Sequence, residues 1–289
     1  MRSVAVALVA VALVGACASS DGSRSATPSS VPAGTSGVGP VPRGVEAGVV
    51  EVTDGDTLVV EVGGREERVR LIGINTPERG ECFADEATAA LAGLVEGGEV
   101  RLVVDQSDRD DYGRLLRDVY VGDTFVNEDL VRDGFALANR YEPDVAHAGE
   151  LEAAQAEAEA AGRGLWAPDA CGRPDAAAAV VVVEEIEADP PGDDTLDPNA
   201  EYVVVRNTGD GAVDLTGWGI KDESASHRFA FPDGFSLAAG AAVTVHTGCG
   251  ADTGTDLFWC NEGSAVWNND GDTAFLLDPS GNVVDTRTY

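Results

Sequence analysis

The first regular pattern along the chain is a pair of short, mostly β-branched runs, Val49–Val52 and Leu58–Val62, separated by the segment TDGDT. An Asp-Gly pair between two such runs is typical of a β-hairpin. A further run, Arg68–Ile74, predicts a third strand that ends before a proline. We therefore expect Asp56 where the turn meets the second strand. We expect Arg70 on the third strand, on the face opposite to its valine and leucine neighbours.

The pattern then alternates between short strands and amphipathic helices. Apolar runs between polar loops predict strands over Val100–Asp105 and Leu115–Val121. Apolar residues at helical spacing predict helices over Asp85–Glu96, Asn127–Asp133 and Asp144–Ala161. Trp166 follows the last of these helices, and we expect it to fill the core of this region.

A different pattern begins at Val180, after a joint of Pro, Asp and Ala at residues 174–179. From there to the end of the chain, short strands alternate with Gly, Asp, Asn and Pro, and almost no helical period remains. This pattern is typical of an all-β sandwich over residues 180–289. Trp218 and Trp267 are expected to anchor its core, and Asp270–Asp272 is expected to form a hairpin turn.

The N-terminal segment has the features of an export signal and a linker rather than of a folded domain. Residues 1–16, an apolar run behind Arg2, have the architecture of a signal peptide and are too short for a membrane-spanning helix. The ending LVGAC looks like a bacterial lipobox, which implies that Cys17 receives a lipid. The alternative is a plain secretory signal with an incidental cysteine. Residues 17–43 are then expected to form a flexible tether, because they are small and polar.

Charge and cysteine content bear on the compartment and on the ligands. The formal net charge is −32, with 29 acidic and 12 basic residues over 44–173, and 21 acidic and 4 basic residues over 174–289. This sign disfavours a protein that holds nucleic acid by counterion release, although local arginines can still act on one phosphate. Four cysteines besides Cys17 are compatible with an oxidising compartment and could pair in three ways. Scattered histidines and the lack of a Cys-x-x-Cys pair do not indicate zinc.

Four motifs in order give residues 44–173 a family resemblance. They are DGDT at Asp54–Thr57, VRLIGINTPE at Val69–Glu78, DDYGR at Asp110–Arg114 and FVNEDLVRDGFA at Phe125–Ala136. Together they resemble the staphylococcal nuclease (thermonuclease) family. The resemblance implies a five-stranded OB-fold barrel with about three helices, so that an α+β region precedes the all-β region. Together with proximity in sequence, the family layout suggests the disulfides Cys82–Cys171 and Cys249–Cys260.

The resemblance assigns catalytic roles to three residues. Arg70 matches the family's first catalytic arginine, which contacts the scissile phosphate. Arg114 matches the second, which supports the transition state and the departing 5′-oxygen; the planar guanidinium suits both places because it binds two phosphate oxygens. Glu78 matches the glutamate that orients or deprotonates the attacking water. Tyr112 and Tyr141 correspond to aromatic residues of the nucleotide pocket, although each could equally be a packing residue.

The resemblance also implies a calcium site. Asp56 matches a ligating aspartate, Thr76 matches a residue that ligates through its backbone carbonyl, and Asp54 lies just behind them. Asn75 stands where the staphylococcal type has an aspartate ligand, so one negative charge is missing. Calcium accepts amide oxygens among its six to eight ligands, but this difference leaves another divalent metal open.

Residues 180–289 resemble the lamin-tail domain through the segments LTGWGIKD, FAFPDGFSLAAG and VWNNDGDTAFLLD. That resemblance implies an immunoglobulin-like β-sandwich of the kind often joined to secreted bacterial nucleases. We expect it to hold an unidentified surface or protein partner, because its negative charge makes nucleic acid the least favourable ligand.

These features predict a metal-dependent nuclease that cuts DNA and RNA with little sequence preference and favours single-stranded substrate. We expect a monomer outside the cytoplasm, held at the membrane by the lipid on Cys17, or secreted if the lipobox interpretation is wrong. Two other functions stay open: an inactive nuclease-fold binding module, and an adhesion protein acting through the sandwich. Loss of Arg70, Glu78 or Arg114 would have indicated the first, and all three are present.

Overall fold

The computed structural model describes residues 44–191, 197–224, 226–261, 265–269 and 271–289. Residues 44–173, here called the barrel region, form a β-barrel flanked by helices. The strands of the barrel region are β1 (Val45–Asp54), β2 (Thr57–Val62), β3 (Arg65–Leu71), β4 (Ile74–Asn75), β5 (Glu99–Val103), β6 (Leu115–Val121), β7 (Thr124–Phe125) and β8 (Leu137–Ala138). Its helices are α1 (Ala84–Leu94), α2 (Val126–Arg132) and α3 (Ala148–Ala161). The predictions for residues 1–43, including lipidation of Cys17, lie outside the described residues.

The barrel closes through one parallel pairing. Strand β1 pairs with β2 and β5, β2 pairs with β3, and β5 pairs with β6, all antiparallel. Strand β3 then runs parallel to β6, which joins the two ends of the sheet. Leu58, Val69, Leu71 and Val119 are fully buried inside. The predicted five-stranded OB-fold barrel with three helices is confirmed.

The predicted third strand is divided in the structure. Strand β3 ends at Leu71, and the next two paired residues, β4, pair with β8 instead of with the barrel sheet. Gly73 lies between them with a φ of 72°, a backbone conformation that glycine adopts without the steric cost of a side chain. The bend turns Asn75 and the residues after it away from the barrel wall. The prediction of a single strand over Arg68–Ile74 was therefore wrong at its C-terminal end.

Two further sequence expectations differ from the structure. Helix α3 begins at Ala148 rather than at Asp144, because the Asp144 carboxylate instead accepts the backbone N–H groups of Gln106 and Ser107 at 2.9 and 2.8 Å. Trp166 is only partly buried and does not fill the barrel core. Its ring lies 6.1 Å from that of Phe275, which belongs to the C-terminal region.

Residues 180–289, here called the sandwich region, contain only strands and loops in the part that the structure describes. The strands are β9 (Val181–Glu187), β10 (Tyr202–Asn207), β11 (Val213–Asp214), β12 (Gly219–Lys221), β13 (Arg228–Ala230), β14 (Ser236–Leu237), β15 (Ala242–His246), β16 (Asp256–Phe258), β17 (Thr273–Leu277) and β18 (Val283–Thr288). Two four-stranded sheets, in the orders β16-β15-β10-β9 and β13-β12-β17-β18, enclose a core that buries Trp218 and Trp267, each 1% exposed. The predicted all-β region is confirmed, whereas Asp270, the first residue of the expected hairpin turn, lies outside the described residues.

Disulfides and an apolar cluster complete the packing. Both suggested pairs are present: Cys82–Cys171 within the barrel region and Cys249–Cys260 within the sandwich region. Leu137 and Leu165 from the barrel region and Phe275 from the sandwich region form a buried cluster shared by the two. The two regions therefore share one apolar cluster. In the part of the chain that the structure describes, no helix has the length and apolar character required to span a membrane.

A buried carboxylate on β6 makes the barrel sensitive to pH. Asp118 is 3% exposed and lies 3.7 Å from the His147 imidazole. Burial raises the pKa of Asp118 to about 7; His147 opposes the rise, and the carboxylates of Asp105, Asp144 and Glu150 add to it. Because the folded chain binds this proton more tightly than the unfolded chain, stability from this group is complete below pH 4 or so and is lost as pH rises through about 7.

We therefore expect Asp118→Asn to stabilise the protein at pH 8 and to stabilise it less at pH 5. The gain at pH 8 should exceed the gain at pH 5 by on the order of 2–3 kcal/mol, because most of the cost of burying the ionised carboxylate arises between these two pH values. Urea unfolding at pH 5, 6.5 and 8 measures the difference from wild type. Asp123→Asn, at an exposed turn, is the control. An equal effect of Asp118→Asn at all three pH values would contradict the expectation.

Candidate active site

Arg70 lies at the end of β3 and is held by three oxygens. Its Nη2 lies 3.1 Å from Asp56 Oδ2 and 3.1 Å from Asn75 Oδ1, while its Nη1 donates to the Leu71 carbonyl. The pairing of Arg70 with Thr57 across β2 and β3 puts the arginine beside the DGDT turn. The sequence therefore places a fixed, permanently charged fork where the first two motifs meet.

Asp56 is almost completely buried and accepts several hydrogen bonds. Its Oδ1 accepts the Thr57 hydroxyl at 3.0 Å, and its Oδ2 accepts both the backbone N–H and the hydroxyl of Thr76 at 3.2 Å. Burial raises its pKa; the Arg70 guanidinium opposes the rise, and the carboxylate of Asp54 adds to it. A side chain at Gly55 would come within 2.8 Å of Thr76, which explains the glycine in this turn. The turn and the NTPE motif are therefore in close contact.

Glu78 lies at the exposed end of the NTPE motif. Burial raises its pKa, and so does repulsion from Asp56, Asp54 and Glu81, while Arg70 lowers it. Its backbone N–H donates to Glu81 Oε2 at 2.8 Å. Because its pKa is raised, the Glu78 carboxylate binds a proton more tightly than that of an ordinary glutamate, which suits a proton acceptor.

Arg114 is anchored by an acidic residue four positions earlier. Its Nε donates to Asp110 Oδ2 at 2.6 Å, and its backbone N–H donates to Asp110 Oδ1 at 2.8 Å. Although burial opposes ionisation, these hydrogen bonds from Arg114 hold the pKa of Asp110 below its ordinary value. The guanidinium also lies 5.7 Å from the centre of the Tyr112 ring, whose residue is 84% exposed. Arg114 is therefore fixed and still accessible from solvent.

A cavity of about 210 Å³ lies beside Arg70 and Asp110, whereas Asp56, Glu78 and Arg114 are not among the residues that line it. Its lining includes Arg70, Asp110, Tyr141 and Asp144, together with backbone of β3 and β4. Asp110 thus links the cavity at Arg70 to Arg114. Tyr141 borders the cavity and is 72% exposed, whereas Tyr112 lies beside Arg114 instead. The cavity can take an anionic group at Arg70 and an aromatic ring at the rim.

Three contacts of this site had no counterpart in the sequence interpretation. Asp110, which anchors Arg114, could have been found from the tendency of an aspartate at the start of a turn to accept the backbone N–H groups that follow it. Asn75 Nδ2 donates to the backbone carbonyl of Glu223 in the sandwich region at 2.7 Å. Glu81 binds Arg228 of the same region at 2.8 Å. The last two contacts join residues about 150 positions apart, and no local pattern indicates them.

The oxygen donors around Asp56 fit a hard divalent cation. Across the described ranges, no group of three or more His, Cys, Asp and Glu side chains is arranged to hold a metal ion. A cation here would therefore also need the Asn75 amide oxygen, the Thr76 carbonyl and water, which is a donor set that calcium accepts. The pKa of Glu78 is raised by burial and by repulsion from Asp56 and Asp54, and a bound cation would relieve that repulsion.

The closed barrel, with Arg70 held by Asp56 and Arg114 held by Asp110, defines a hydrolase of the nuclease class. Residues 68–168 match the family of staphylococcal nuclease homologues, and residues 174–289 match the lamin tail domain. The chain belongs to the staphylococcal nuclease family. The predicted class of enzyme, a hydrolytic nuclease, is thereby confirmed. The family match begins at Arg68, so Asp56 lies just before it.

Curated relatives match the barrel region. A thermonuclease of Staphylococcus hyicus is 32% identical over 124 residues, which cover 41% of this chain and 73% of the relative. A thermonuclease of Staphylococcus intermedius is 35% identical over 130 residues, covering 43% of this chain and 77% of the relative. Endonuclease YncB of Bacillus subtilis (strain 168) is 34% identical over 121 residues, covering 39% of this chain and 57% of the relative. More than half of this chain is thus outside each of these matches.

Proposed function

We propose that this chain is a divalent-metal-dependent nuclease that hydrolyses phosphodiester bonds of DNA and RNA with low sequence specificity. The observation that carries the proposal is the fixation of Arg70 between Asp56 and Asn75, each 3.1 Å from the same guanidinium nitrogen. An arginine already held in place needs little reorganisation to meet a phosphate, which is the condition for stabilising charge in a transition state. The thermonuclease relatives support the same activity.

In the proposed reaction, the phosphate sits at Arg70 and Arg114. Glu78 accepts a proton from water as the water oxygen bonds to phosphorus, and the bond from phosphorus to the 5′-oxygen breaks. Arg70 and Arg114 bind the phosphate oxygens and balance the charge that develops on them and on the leaving oxygen. The departing 5′-oxygen takes a proton from solvent, and Glu78 later returns its proton to solvent, so that a 3′-phosphate and a free 5′-hydroxyl result.

The metal in this proposal is calcium or another divalent cation. Asp56, the Asn75 amide oxygen and the Thr76 carbonyl would hold it, with Asp54 behind them and water completing the shell. When bound, such a cation supplies positive charge that neutralises the phosphate. The Asn75 amide carries no charge, so we expect weaker calcium binding than an aspartate would give.

Substrate form and location follow from the charge and from the N-terminal motif. The acidic surface disfavours tight binding along a duplex, and the cavity at Arg70 is small, so single-stranded or frayed substrate is favoured. The segment LVGAC supports attachment of a lipid at Cys17, which would hold a monomeric enzyme outside the cytoplasm at the membrane.

The test is hydrolysis of heat-denatured DNA by the chain without residues 1–43, with calcium and with chelator. We expect cleavage only with metal, and a loss of kcat of about 10²–10⁴-fold in Glu78→Gln, because the amide cannot accept the proton. Glu86→Gln, an exposed glutamate of α1, is the matched control and should cut like wild type. If the wild-type chain cuts nothing with calcium, magnesium or manganese, the fold serves as a binding module instead.

A further inference from the structure

The sandwich region contacts the active-site residue that differs from the staphylococcal type. Asn75 is 3% exposed, and its two polar atoms face opposite partners. Its Oδ1 accepts from Arg70 Nη2 at 3.1 Å, and its Nδ2 donates to the Glu223 carbonyl at 2.7 Å. An aspartate here would bring an oxygen without a hydrogen against that carbonyl, which is repulsive. The amide is therefore the side chain that satisfies both neighbours at once.

A second contact reaches the backbone of Glu78. Glu81 accepts from Arg228 through both oxygens, at 2.8 Å to Nε and 3.3 Å to Nη2. Oε2, the Glu81 oxygen that accepts from Nη2, also accepts the Glu78 backbone N–H at 2.8 Å. Arg228 is itself fixed, because its Nη1 donates to the carbonyls of Ser224 and His227, each at 2.8 Å. A chain of hydrogen bonds thus runs from the sandwich to the proposed proton acceptor.

The end of the same segment is covered as well. Cys82 follows Glu81 and is bonded to Cys171, whose backbone N–H donates to Asn282 Oδ1 at 2.8 Å. A side chain at Gly281 would meet the Cys82 Cβ at 3.3 Å, so the sandwich backbone lies directly against this disulfide. The sandwich therefore contacts the segment from Asn75 to Cys82 at Asn75, at Glu81 and at Cys82.

We propose that the sandwich region is a positioning element of the active site, which orients Asn75 through the Glu223 carbonyl and Glu78 through Arg228 and Glu81. This inference rests on the proposed nuclease activity. The contacts with substrate belong to the barrel region, at Arg70 and Arg114. Loss of Arg228 should therefore lower kcat while leaving KM nearly unchanged.

The first test is steady-state hydrolysis of denatured DNA by full-length Arg228→Ala. We expect kcat to fall about tenfold, the usual effect of removing a residue that orients a catalytic group, and KM to stay within about twofold of wild type. Arg206→Ala is the matched control. Arg206 forms a similar ion pair with Glu184 within the sandwich, at 2.6 Å and with comparable exposure, and should leave kcat unchanged. Arg228→Lys keeps the charge but not the fork and should give an intermediate kcat.

The second test is hydrogen exchange, which does not depend on activity. In Arg228→Ala, peptides covering residues 76–83 should exchange faster than in wild type, and in Arg206→Ala they should not. Asn75→Asp should speed exchange across residues 219–231 of the sandwich, an effect that loss of a local ligand alone would not give.

The two readouts separate the inference from the activity on which it rests. If wild type is inert but exchange responds as expected, the positioning contact stands and the proposed function fails. If wild type cuts DNA and Arg228→Ala matches Arg206→Ala in kcat and exchange, the positioning role is wrong and the proposed function stands. Faster exchange with an unchanged kcat would also overturn the positioning role, because the contact would then be structural only.

Discussion

Arg70→Ala is expected to lower kcat for denatured DNA about a thousandfold, the loss that follows removal of one preorganised donor from a transition state. The guanidinium is already placed by Asp56, Asn75 and the Leu71 carbonyl, so little of its energy is spent on orientation during the reaction. Arg70→Lys should recover only a small part, because an ammonium group cannot bind two phosphate oxygens in one plane. Initial rates at saturating substrate measure both variants.

The control for Arg70 is an arginine that also binds a carboxylate but lies outside the site. Arg163, which follows α3, pairs with Glu157 at 2.9 Å and is the suitable choice; Arg163→Ala should keep the wild-type kcat. Near-UV circular dichroism should show that Arg70→Ala keeps its tertiary packing, although Asp56 has lost a partner. Retention of more than about a tenth of the wild-type kcat would remove Arg70 from the proposed mechanism.

Replacing both cysteines of the Cys82–Cys171 pair with serine should lower the free energy of unfolding by about 4–5 kcal/mol. The bond joins positions 89 residues apart, so its loss gives the unfolded chain much conformational freedom. Urea unfolding of the oxidised wild type and of the double variant measures the difference.

The second disulfide provides the comparison. Cys249 and Cys260 are separated by only 11 residues, and replacing both should cost about 3 kcal/mol by the same loop-closure argument. If the free energy of unfolding falls equally for the two pairs, loop length does not determine how much each disulfide stabilises the protein, and local packing of the sulfur atoms matters more.

Local sequence pattern was sufficient for most of the barrel. Strand β6 was predicted over Leu115–Val121 and has those bounds, because an apolar run between polar loops has few alternatives. The predicted third strand was too long, since its pattern continued through a glycine whose φ of 72° ends the pairing. The predicted first residue of α3 was wrong because Asp144 binds backbone N–H groups of a distant loop, those of Gln106 and Ser107. A helical period in the sequence does not indicate such a contact.

The candidate site divides in a similar way. The sequence predicts Asp56 at the turn and Arg70 on the third strand, and the register of β2 with β3, which puts Thr57 opposite Arg70, brings the two together. The anchoring of Arg114 by Asp110 is a local contact within the DDYGR turn, but the family resemblance gives Arg114 a role without an anchor. The contacts of Asn75 and Glu81 with the sandwich depend on docking of two folded regions, and one acceptor is a backbone carbonyl. Neither is encoded in a local motif.

The hydrogen bond between Asn75 and Glu223 has a consequence for natural variation. The acceptor is main chain, so a change of side chain at position 223 need not remove it, whereas the donor is a side-chain amide that few residues can supply. In chains that join these two regions in the same way, position 223 should therefore drift freely while position 75 stays an amide. Relatives that lack the sandwich are released from this requirement and can carry an acidic residue at position 75 instead.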